Sequence, residues 1–337
     1  KIDRAVEYYN ALDKNLDLQA KPYTINAAKG ALQNHLNRLG LKGTVKDSSV
    51  PSTYKIDYEI LGNPKISILI PNKDHIEDLE TCIKSILNKS TYTNYEIIII
   101  ENNSERDSTF IYYDALKKNE KIKIVNWERE FNYSAINNFG VEKASGDYIL
   151  LLNNDVEIIT PAWMEEMLMF AQRKDVGAVG AMLYYPDDTI QHAGVIYGLG
   201  GVAGHSHKYF KRGDVGYAYR LTIAQNLSCV TAACLLVKKA VYEEVGGLEE
   251  KFKVAFNDID FCMKIRKAGY LNVFTPYAEL YHYESKSRGV EDTEEKIKRF
   301  QSEISLFRSR WQKELEMGDP YYNKNLTLDR EDFSFKE

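Results

Sequence analysis

The sequence contains few cysteines, and their spacing excludes the usual zinc sites. Only four are present in 337 residues, and each lies in an apolar context: Cys82, Cys229, Cys234 and Cys262. Isolated cysteines in apolar surroundings are most often buried, reduced thiols. Reduced thiols predict a cytoplasmic protein, because an oxidising compartment favours disulfide pairs.

Long hydrophobic runs and an excess of positive charge are also lacking. No apolar stretch approaches the roughly 20 residues that a membrane-spanning helix needs, and nothing resembles a signal peptide. We therefore expect no transmembrane segment. The net charge of -5 gives no reason to expect nucleic acid as a partner. The chain begins at Lys1 instead of methionine, as a piece cut from a longer protein would.

The two ends of the chain predict helical additions. Residues 27–41 carry apolar side chains at helical spacing. We predict a helical addition over residues 1–50 and a linker over residues 51–64, where two prolines and a glycine occur. Residues 294–315 have the pattern of a long amphipathic helix, so residues 291–337 are predicted to be a C-terminal helix and tail. Both additions are candidate surfaces for homo-oligomer contacts or acceptor docking.

Short apolar strands alternate with helical segments from residue 65 onward. The four clearest strands are Ile66–Ile70, Glu96–Ile100, Lys121–Val125 and Tyr148–Leu152. This alternation predicts an α/β fold with a mostly parallel sheet covered by helices on both faces. Ligands of such sheets bind beyond the carboxyl ends of the strands. Polar clusters follow three strands, at Asn72–Asp74, Glu101–Ser104 and Asn153–Asp155. We expect these clusters to converge on one crevice.

Eight short motifs occur in one order along residues 65–290. They are Ser67–Asp74, Tyr95–Ser104, Asn138–Gly140, Ala144–Tyr148, Leu151–Asp155, Gly246–Leu248, Asn257–Cys262 and His282–Ser285. In this order they resemble the inverting glycosyltransferases of family 2, which have the Rossmann-like GT-A fold. We therefore predict a GT-A catalytic domain over residues 65–290.

Two further segments resemble particular branches of this family. Gln191–Gly194 and Gly201–His207 are similar to loops of rhamnosyltransferase-like members. The helical N-terminal addition resembles the C-terminal half of bifunctional streptococcal transferases that extend glycans on serine-rich-repeat adhesins. For His205 and His207 we favour a mobile acceptor-side loop over a metal site.

The resemblance implies that the first polar clusters bind a nucleoside diphosphate sugar. The first segment would lie along the base and ribose, while a carboxylate and an amide of the second would face the base edge. The residues assigned to the nucleotide sugar are Pro71, Asn72, Lys73, Glu101, Asn102, Asn138 and Asn154. The alternative for Asn102–Ser104 is a turn and helix-cap sequence.

The resemblance also implies a metal site containing Asp155 and His282. Asp155 stands at the family's Asp-any-Asp position, and one carboxylate suffices for Mn²⁺ or Mg²⁺ when a donor diphosphate fills other positions. His282 matches a histidine that completes the metal site in some relatives. The alternatives are a helix cap for Asp155, before Pro161, and a structural role for His282.

Asp258 is the candidate general base. It matches the catalytic carboxylate of the family and would take the proton from an acceptor hydroxyl. Asp260, two residues on, would point elsewhere in a helical turn, and we interpret it as a charge favourable to the helix dipole. Thr231–Cys234 either lines the sugar pocket or packs in the core.

The resemblance as a whole implies an inverting, metal-dependent hexosyltransferase. Its donor would be a UDP-sugar, with dTDP-rhamnose second, and its acceptor a hydroxyl of a growing glycan on a surface protein or polysaccharide. The alternative is a non-catalytic domain that binds a sugar nucleotide or glycan and scaffolds a partner. That alternative is motivated by Asn153, Asn154 and Asn257, which stand where relatives have acids.

Overall fold

The structure, a computed structural model, describes residues 23–284 and 293–336. The predicted elements in residues 1–22 and 285–292 lie outside the described residues. The chain divides into two compact units, residues 1–59 and residues 60–337. Within the described residues, no helix is both long enough and apolar enough to cross a membrane.

The first unit contains a helix and a β-hairpin. Helix α1 (Tyr23–Arg38) is followed by strands β1 (Gly43–Asp47) and β2 (Tyr54–Tyr58), which pair in antiparallel register. The Gln33 amide ties them together, since it donates to the Gly43 carbonyl and accepts from the Val45 N–H, both at 3.0 Å. The prediction of a purely helical addition ending in a linker was therefore wrong here, because the predicted boundary after residue 50 cuts through this hairpin.

The second unit is built on a ten-stranded sheet within the described residues. Its strands are β3 (Ile66–Asn72), β4 (Tyr95–Glu101), β5 (Ile122–Asn126), β6 (Tyr148–Leu152), β7 (Val156–Ile158), β8 (Val176–Tyr184), β9 (Ile190–His192), β12 (Gln225–Leu227), β13 (Cys234–Lys238) and β14 (Leu271–His282). A separate antiparallel pair is formed by β10 (Val195–Tyr197) and β11 (Ala203–His205). The sheet order is β12-β14-β8-β13-β6-β3-β4-β5, with β7 on β14 and β9 on β8.

The neighbouring strands β5, β4, β3 and β6 pair in parallel, and so do β8 and β14. Strand β13 lies between β6 and β8 and is antiparallel to both. The helices are α2 (Ile76–Lys89), α3 (Asp107–Leu116), α4 (Tyr133–Lys143), α5 (Trp163–Ala171), α6 (Lys239–Glu244), α7 (Asn257–Lys267), α8 (Glu294–Arg310) and α9 (Gln312–Met317). The predicted α/β fold is confirmed.

The continuous apolar strands form the centre of the core. Ile97–Ile100 of β4 are fully buried, as expected for parallel strands covered on both faces. Gly140 lets α4 lie close to this sheet, because a Cβ at that position would come within 2.6 Å of the Ile100 side chain. The strand pattern therefore predicted the core. Gly140, which ends the motif Asn138–Gly140, has a packing role.

The C-terminal helices belong to the second unit. The predicted single helix over residues 294–315 is broken at Trp311, whose backbone (φ -116°, ψ 25°) leaves the helical region between α8 and α9. The Trp311 indole is buried and donates to the Asp260 carboxylate at 2.8 Å. The break places this aromatic ring in the core.

Candidate active site

A cavity of about 740 Å³ opens beyond the carboxyl ends of β3, β4 and β6. All three predicted polar clusters contribute to its wall, so they lie together as expected. The predicted site residues that line it are Pro71, Asn72, Lys73, Asn102, Asn154, Asp155, Asp258 and His282. Glu101 and Asn138 do not line it.

Glu101 lies behind the cavity wall. Its carboxylate accepts the backbone N–H of Ser104 at 2.5 Å, the Ser104 hydroxyl at 2.7 Å and the Tyr113 hydroxyl at 2.6 Å. Tyr113 in turn accepts a hydrogen bond from the Asn72 amide at 2.8 Å, and Asn72 accepts one from Asn154 at 2.7 Å. The family resemblance implies that Glu101 faces the base edge, but these partners use its oxygens to fix Asn72 and Asn154.

Asn138 also has a different place from the one predicted. Its Oδ1 accepts the Tyr242 hydroxyl at 2.7 Å and the Leu248 N–H at 3.0 Å, and its amide donates to the Leu248 carbonyl. Gly247 passes so close that a Cβ there would lie 2.7 Å from Asn138 Oδ1. Asn138 therefore joins α4 to the turn before α7. Its place in a family-like motif is explained by this structural role.

The turn after β3 carries backbone strain and a cap for a neighbouring helix. Asp74 and His75 both have positive φ values, 52° and 44°, which cost energy in non-glycine residues and cluster at functional sites. Asp74 Oδ1 accepts the N–H of Arg106 and the Thr109 hydroxyl at the start of α3. Burial alone would raise the pKa of Asp74, but these bonds, the Glu105 N–H and the Arg106 charge hold it below its usual range.

Asp155 and His282 meet because of strand pairing. Val156 of β7 lies opposite His282 of β14 in an antiparallel register, and the Tyr283 N–H bonds the Asp155 carbonyl at 2.8 Å. This register brings Asp155 Oδ1 within 3.2 Å of His282 Nε2, and both side chains are buried. The predicted pair is therefore assembled by the fold.

Gln191 determines which nitrogen of His282 carries the proton. The Gln191 Oε1 atom lies 2.8 Å from His282 Nδ1. An amide oxygen can only accept, so Nδ1 carries the proton and Nε2 presents a lone pair. The Asn153 amide, 3.0 Å from Nε2, donates to that lone pair. His282 thus has the tautomer that a metal ligand needs.

Asp155 and His282 present two atoms that could contact one divalent cation. A carboxylate oxygen and an imidazole nitrogen both suit Mn²⁺, and Asp155 Oδ1 lies 3.2 Å from His282 Nε2. Among residues 23–284 and 293–336, no group of three or more His, Cys, Asp or Glu side chains could hold a metal ion alone. Asp155 and His282 would therefore need further ligand atoms from elsewhere to hold a metal ion.

Asp258 lies in the first turn of α7, where the free backbone N–H groups of a helix stabilise negative charge. Its Oδ1 accepts the Ile259 N–H at 2.9 Å, and its Oδ2 accepts the Ala232 N–H at 3.1 Å. Each oxygen keeps a lone pair for a further proton donor. Phe256, just before the helix, has a φ of 61°, another strained residue on the cavity wall.

Glu303 of α8 supports the loop before Asp258. This buried carboxylate accepts the N–H groups of Val254 at 2.9 Å and Ala255 at 3.2 Å, and both residues line the cavity. Phe256 stacks on Phe300 of the same helix, with ring centroids 5.6 Å apart. The C-terminal segment therefore helps to position the candidate base, which the sequence did not indicate.

Asp260 points away from the cavity, as its helical position predicted. The residue lies in the first turn of α7, but its fully buried carboxylate also accepts the Trp311 indole and pairs with Arg310 Nε at 3.0 Å. It anchors the C-terminal helices in addition to any effect on the helix dipole.

The histidines of the predicted mobile loop are packed. His207 is 1% exposed, bonds Ser206 and the Tyr217 N–H, and stacks on Phe333 with centroids 4.4 Å apart. His205 lines the cavity and lies against His192. The contacts of His207 differ from what the predicted mobile loop implies.

Glu284 and Arg106 line the cavity but were missed by the sequence interpretation. Glu284 accepts the Gln191 amide at 2.9 Å. Burial would raise the pKa of Glu284, yet the hydrogen bond from Gln191 and the nearby positive charge of Lys208 keep it below its usual range. Arg106 supplies a cation beside the strained turn. The sequence signal that could have indicated Glu284 is its position two residues after His282. No sequence pattern indicates Arg106.

The sequence model of Glycosyl transferase family 2 matches residues 67–246, more than half of the chain. The chain therefore belongs to glycosyl transferase family 2 and is a glycosyltransferase. The likeness to the crystal structure of GalNAc-T7 with UDP, GalNAc and Mn²⁺ has a TM-score of 0.60 at 14% identity, and covers 81% of this chain and 52% of that one. This likeness shows the fold, and the predicted GT-A fold is confirmed.

Curated relatives include longer proteins. The chain is 46% identical over 318 residues to the uncharacterized protein y4gI of Sinorhizobium fredii (strain NBRC 101917 / NGR234), covering 94% of this chain and 35% of that protein. It is 36% identical over 300 residues to the O-antigen biosynthesis protein RfbC of Myxococcus xanthus, covering 88% of this chain and 23% of RfbC. The chain thus spans about a quarter to a third of their length.

The rhamnosyltransferase-like resemblance is more distant. The N-acetylglucosaminyl-diphospho-decaprenol L-rhamnosyltransferase of Mycobacterium tuberculosis is 28% identical over 153 residues, covering 42% of this chain and 49% of that enzyme. The family prediction is confirmed, and the particular branch stays a prediction.

Proposed function

We propose that this chain transfers a hexose from a nucleoside diphosphate sugar to a hydroxyl of a growing glycan, in a metal-dependent reaction that inverts the anomeric carbon. The observation that carries the proposal is that Asp155, His282 and Asp258 line one cavity. The first two offer oxygen and nitrogen to a divalent cation, and the third offers a carboxylate to an acceptor proton. The proposal thus assigns both halves of a displacement reaction to this cavity.

Asp155 and His282 would hold Mn²⁺ or Mg²⁺ together with oxygens of the donor diphosphate. When bound, the cation stabilises negative charge on the departing diphosphate. Lys73 and Arg106 lie on the same wall and can bind phosphate oxygens directly. Because the chain supplies so few ligands, we expect the cation to bind weakly without the donor.

Asp258 would take the proton from the acceptor hydroxyl as that oxygen attacks the anomeric carbon. The two backbone N–H groups at its oxygens hold the carboxylate in one orientation, so the attacking oxygen meets a fixed base. Attack on the face opposite the diphosphate, in a single displacement, gives inversion.

A UDP-sugar is the favoured donor, and dTDP-rhamnose is second. The UDP in the GalNAc-T7 structure supports the first, and the rhamnosyltransferase named among the relatives supports the second. The name of RfbC supports a surface polysaccharide or a glycan on a surface protein as acceptor. The four free, buried cysteines support a reducing, cytoplasmic location.

The test is transfer by purified protein with Asp258→Asn as the main variant. Thermal stabilisation by UDP-glucose, UDP-galactose, UDP-N-acetylglucosamine and dTDP-rhamnose, with and without Mn²⁺, selects the donor. Transfer is then measured for the wild type, for Asp258→Asn, and for Asp114→Asn, which alters an exposed aspartate.

We expect Asp258→Asn to bind the donor normally and to lose at least about 100-fold in transfer rate, while Asp114→Asn behaves as the wild type. Unchanged transfer by Asp258→Asn would remove the base assignment. If the wild type binds a donor but never turns it over, the chain is instead a sugar-nucleotide-binding scaffold.

A further inference from the structure

His192 and His205 face each other at the cavity, outside the groups assigned to metal and base. Their Nδ1 atoms are 2.9 Å apart, and their rings meet edge to face with centroids 5.1 Å apart. His192 ends β9 and is fully buried, whereas His205 ends β11 and lines the cavity. Two imidazoles can share this contact only when one nitrogen donates and the other accepts.

The backbone determines which nitrogen donates. His192 Nε2 accepts the N–H groups of Gly194 at 3.3 Å and Thr231 at 3.4 Å, so it carries a lone pair. A neutral His192 therefore bears its proton on Nδ1 and donates it to Nδ1 of His205. The proton of His205 is then on Nε2.

Burial disfavours the protonated, charged form of both rings. Burial, the largest cause, holds the pKa of His192 well below its usual range. Burial also lowers the pKa of His205, although Asp258 and Glu284 oppose that effect. Both shifts therefore favour the neutral rings to which the deduced proton arrangement applies.

His205 Nε2–H has no acceptor among residues 23–284 and 293–336, and its ring lines the cavity. We propose that this N–H donates a hydrogen bond to an oxygen of the acceptor sugar, which makes His205 an acceptor-specificity residue that His192 holds in one tautomer. The inference deepens the proposed function and rests on it.

The surroundings of His205 favour the acceptor over the donor diphosphate. Asp258 and Glu284 line the same cavity as His205, and the acceptor hydroxyl must lie beside Asp258. A sugar that presents one hydroxyl to Asp258 brings its neighbouring oxygens to the same wall. A neutral N–H suits such uncharged oxygens, whereas a diphosphate is better matched by cationic groups such as Arg106.

Nitrogen-15 NMR of the full chain, labelled at its six histidines, tests the tautomers. We expect His205 as the Nε2–H form and His192 as the Nδ1–H form, assigned with His205→Gln and His192→Asn. A charged His205 or an Nδ1–H His205 overturns the proposal. This measurement does not depend on turnover, so it can fail or succeed separately from the proposed function.

Kinetics on p-nitrophenyl glycoside acceptors test the role. We expect His205→Leu to raise the acceptor KM roughly 10- to 100-fold, the usual effect of leaving a buried polar partner unsatisfied. The donor KM and donor hydrolysis should stay within about twofold of the wild type on the same reasoning. His205→Gln, which keeps an N–H at similar reach, should restore most of the acceptor affinity, and the exposed His35→Gln is the control.

An unchanged acceptor KM in His205→Leu would overturn the inference while leaving the proposed function intact. A loss of donor binding in the same variant would also overturn it, because His205 would then belong to the donor side. Absence of transfer by the wild type would instead count against the proposed function, and the NMR result would decide the tautomer by itself.

Discussion

Gln191 should control cation affinity although it is not expected to touch the cation. Its Oε1 accepts from His282 Nδ1 at 2.8 Å, and its amide donates to Glu284 at 2.9 Å. Gln191→Leu removes both bonds, so His282 can rotate or move its proton to Nε2, which abolishes the lone pair facing Asp155. Loss of a partner that orients a ligand histidine typically costs about 10- to 100-fold in metal affinity, which is about 1.4 to 2.8 kcal/mol.

The assay is titration of Mn²⁺ into the full chain with saturating UDP, with free Mn²⁺ followed by electron paramagnetic resonance. Gln191→Leu, His282→Ala and the double variant form a cycle. Because Gln191 acts through His282, the Mn²⁺-binding free energy of the double variant should equal that of His282→Ala within about 0.5 kcal/mol. Gln312→Leu, which alters an exposed glutamine, is the control.

Two results would refute this reasoning. The first is wild-type Mn²⁺ affinity in Gln191→Leu, which would mean that the tautomer of His282 is not held by this contact. The second is full additivity of the two single substitutions, which would mean that Gln191 acts by a route other than His282. Circular dichroism checks that each variant is folded, so that a loss of Mn²⁺ affinity is not caused by unfolding.

Two further predictions concern stability. Asp260→Ala should lower the free energy of urea unfolding by about 3 to 5 kcal/mol, because Trp311 and Arg310 lose a fully buried partner. The control Glu249→Ala should lower it by at most about 1 kcal/mol, since that partner of Arg310 is partly exposed. Equal losses in the two variants would contradict this prediction. Asp74→Asn should be less stable than the wild type above about pH 4, with the gap closing as pH falls through the lowered pKa of Asp74. A gap that stays constant with pH would contradict the capping role.

The sequence predicted the parts of the site that follow directly from strand ends. Ile66–Ile70 and Tyr148–Leu152 are continuous apolar runs, and such runs bury as parallel strands whose carboxyl ends meet at one edge. The positions of Asn72 and Asp155 follow from that rule alone. The family resemblance added His282 and Asp258, which no local pattern links to the same cavity.

What the sequence could not predict depends on contacts between distant segments. Asp155 meets His282 only through the register of β7 on β14, and Glu303 reaches Val254 from a helix that looks merely amphipathic. Asn138 looked like a site residue because it lies in a family-like motif, but its direction is set by Leu248. Side-chain partners of this kind appear only when the fold is known.

The most direct test of the central claim is the anomeric configuration of the product, followed by proton NMR during turnover with Mn²⁺ and the selected donor. The account predicts a product with the configuration opposite to that of the donor, formed by the wild type and stopped by EDTA. A product that retains the donor configuration, or turnover that EDTA leaves unchanged, would contradict it.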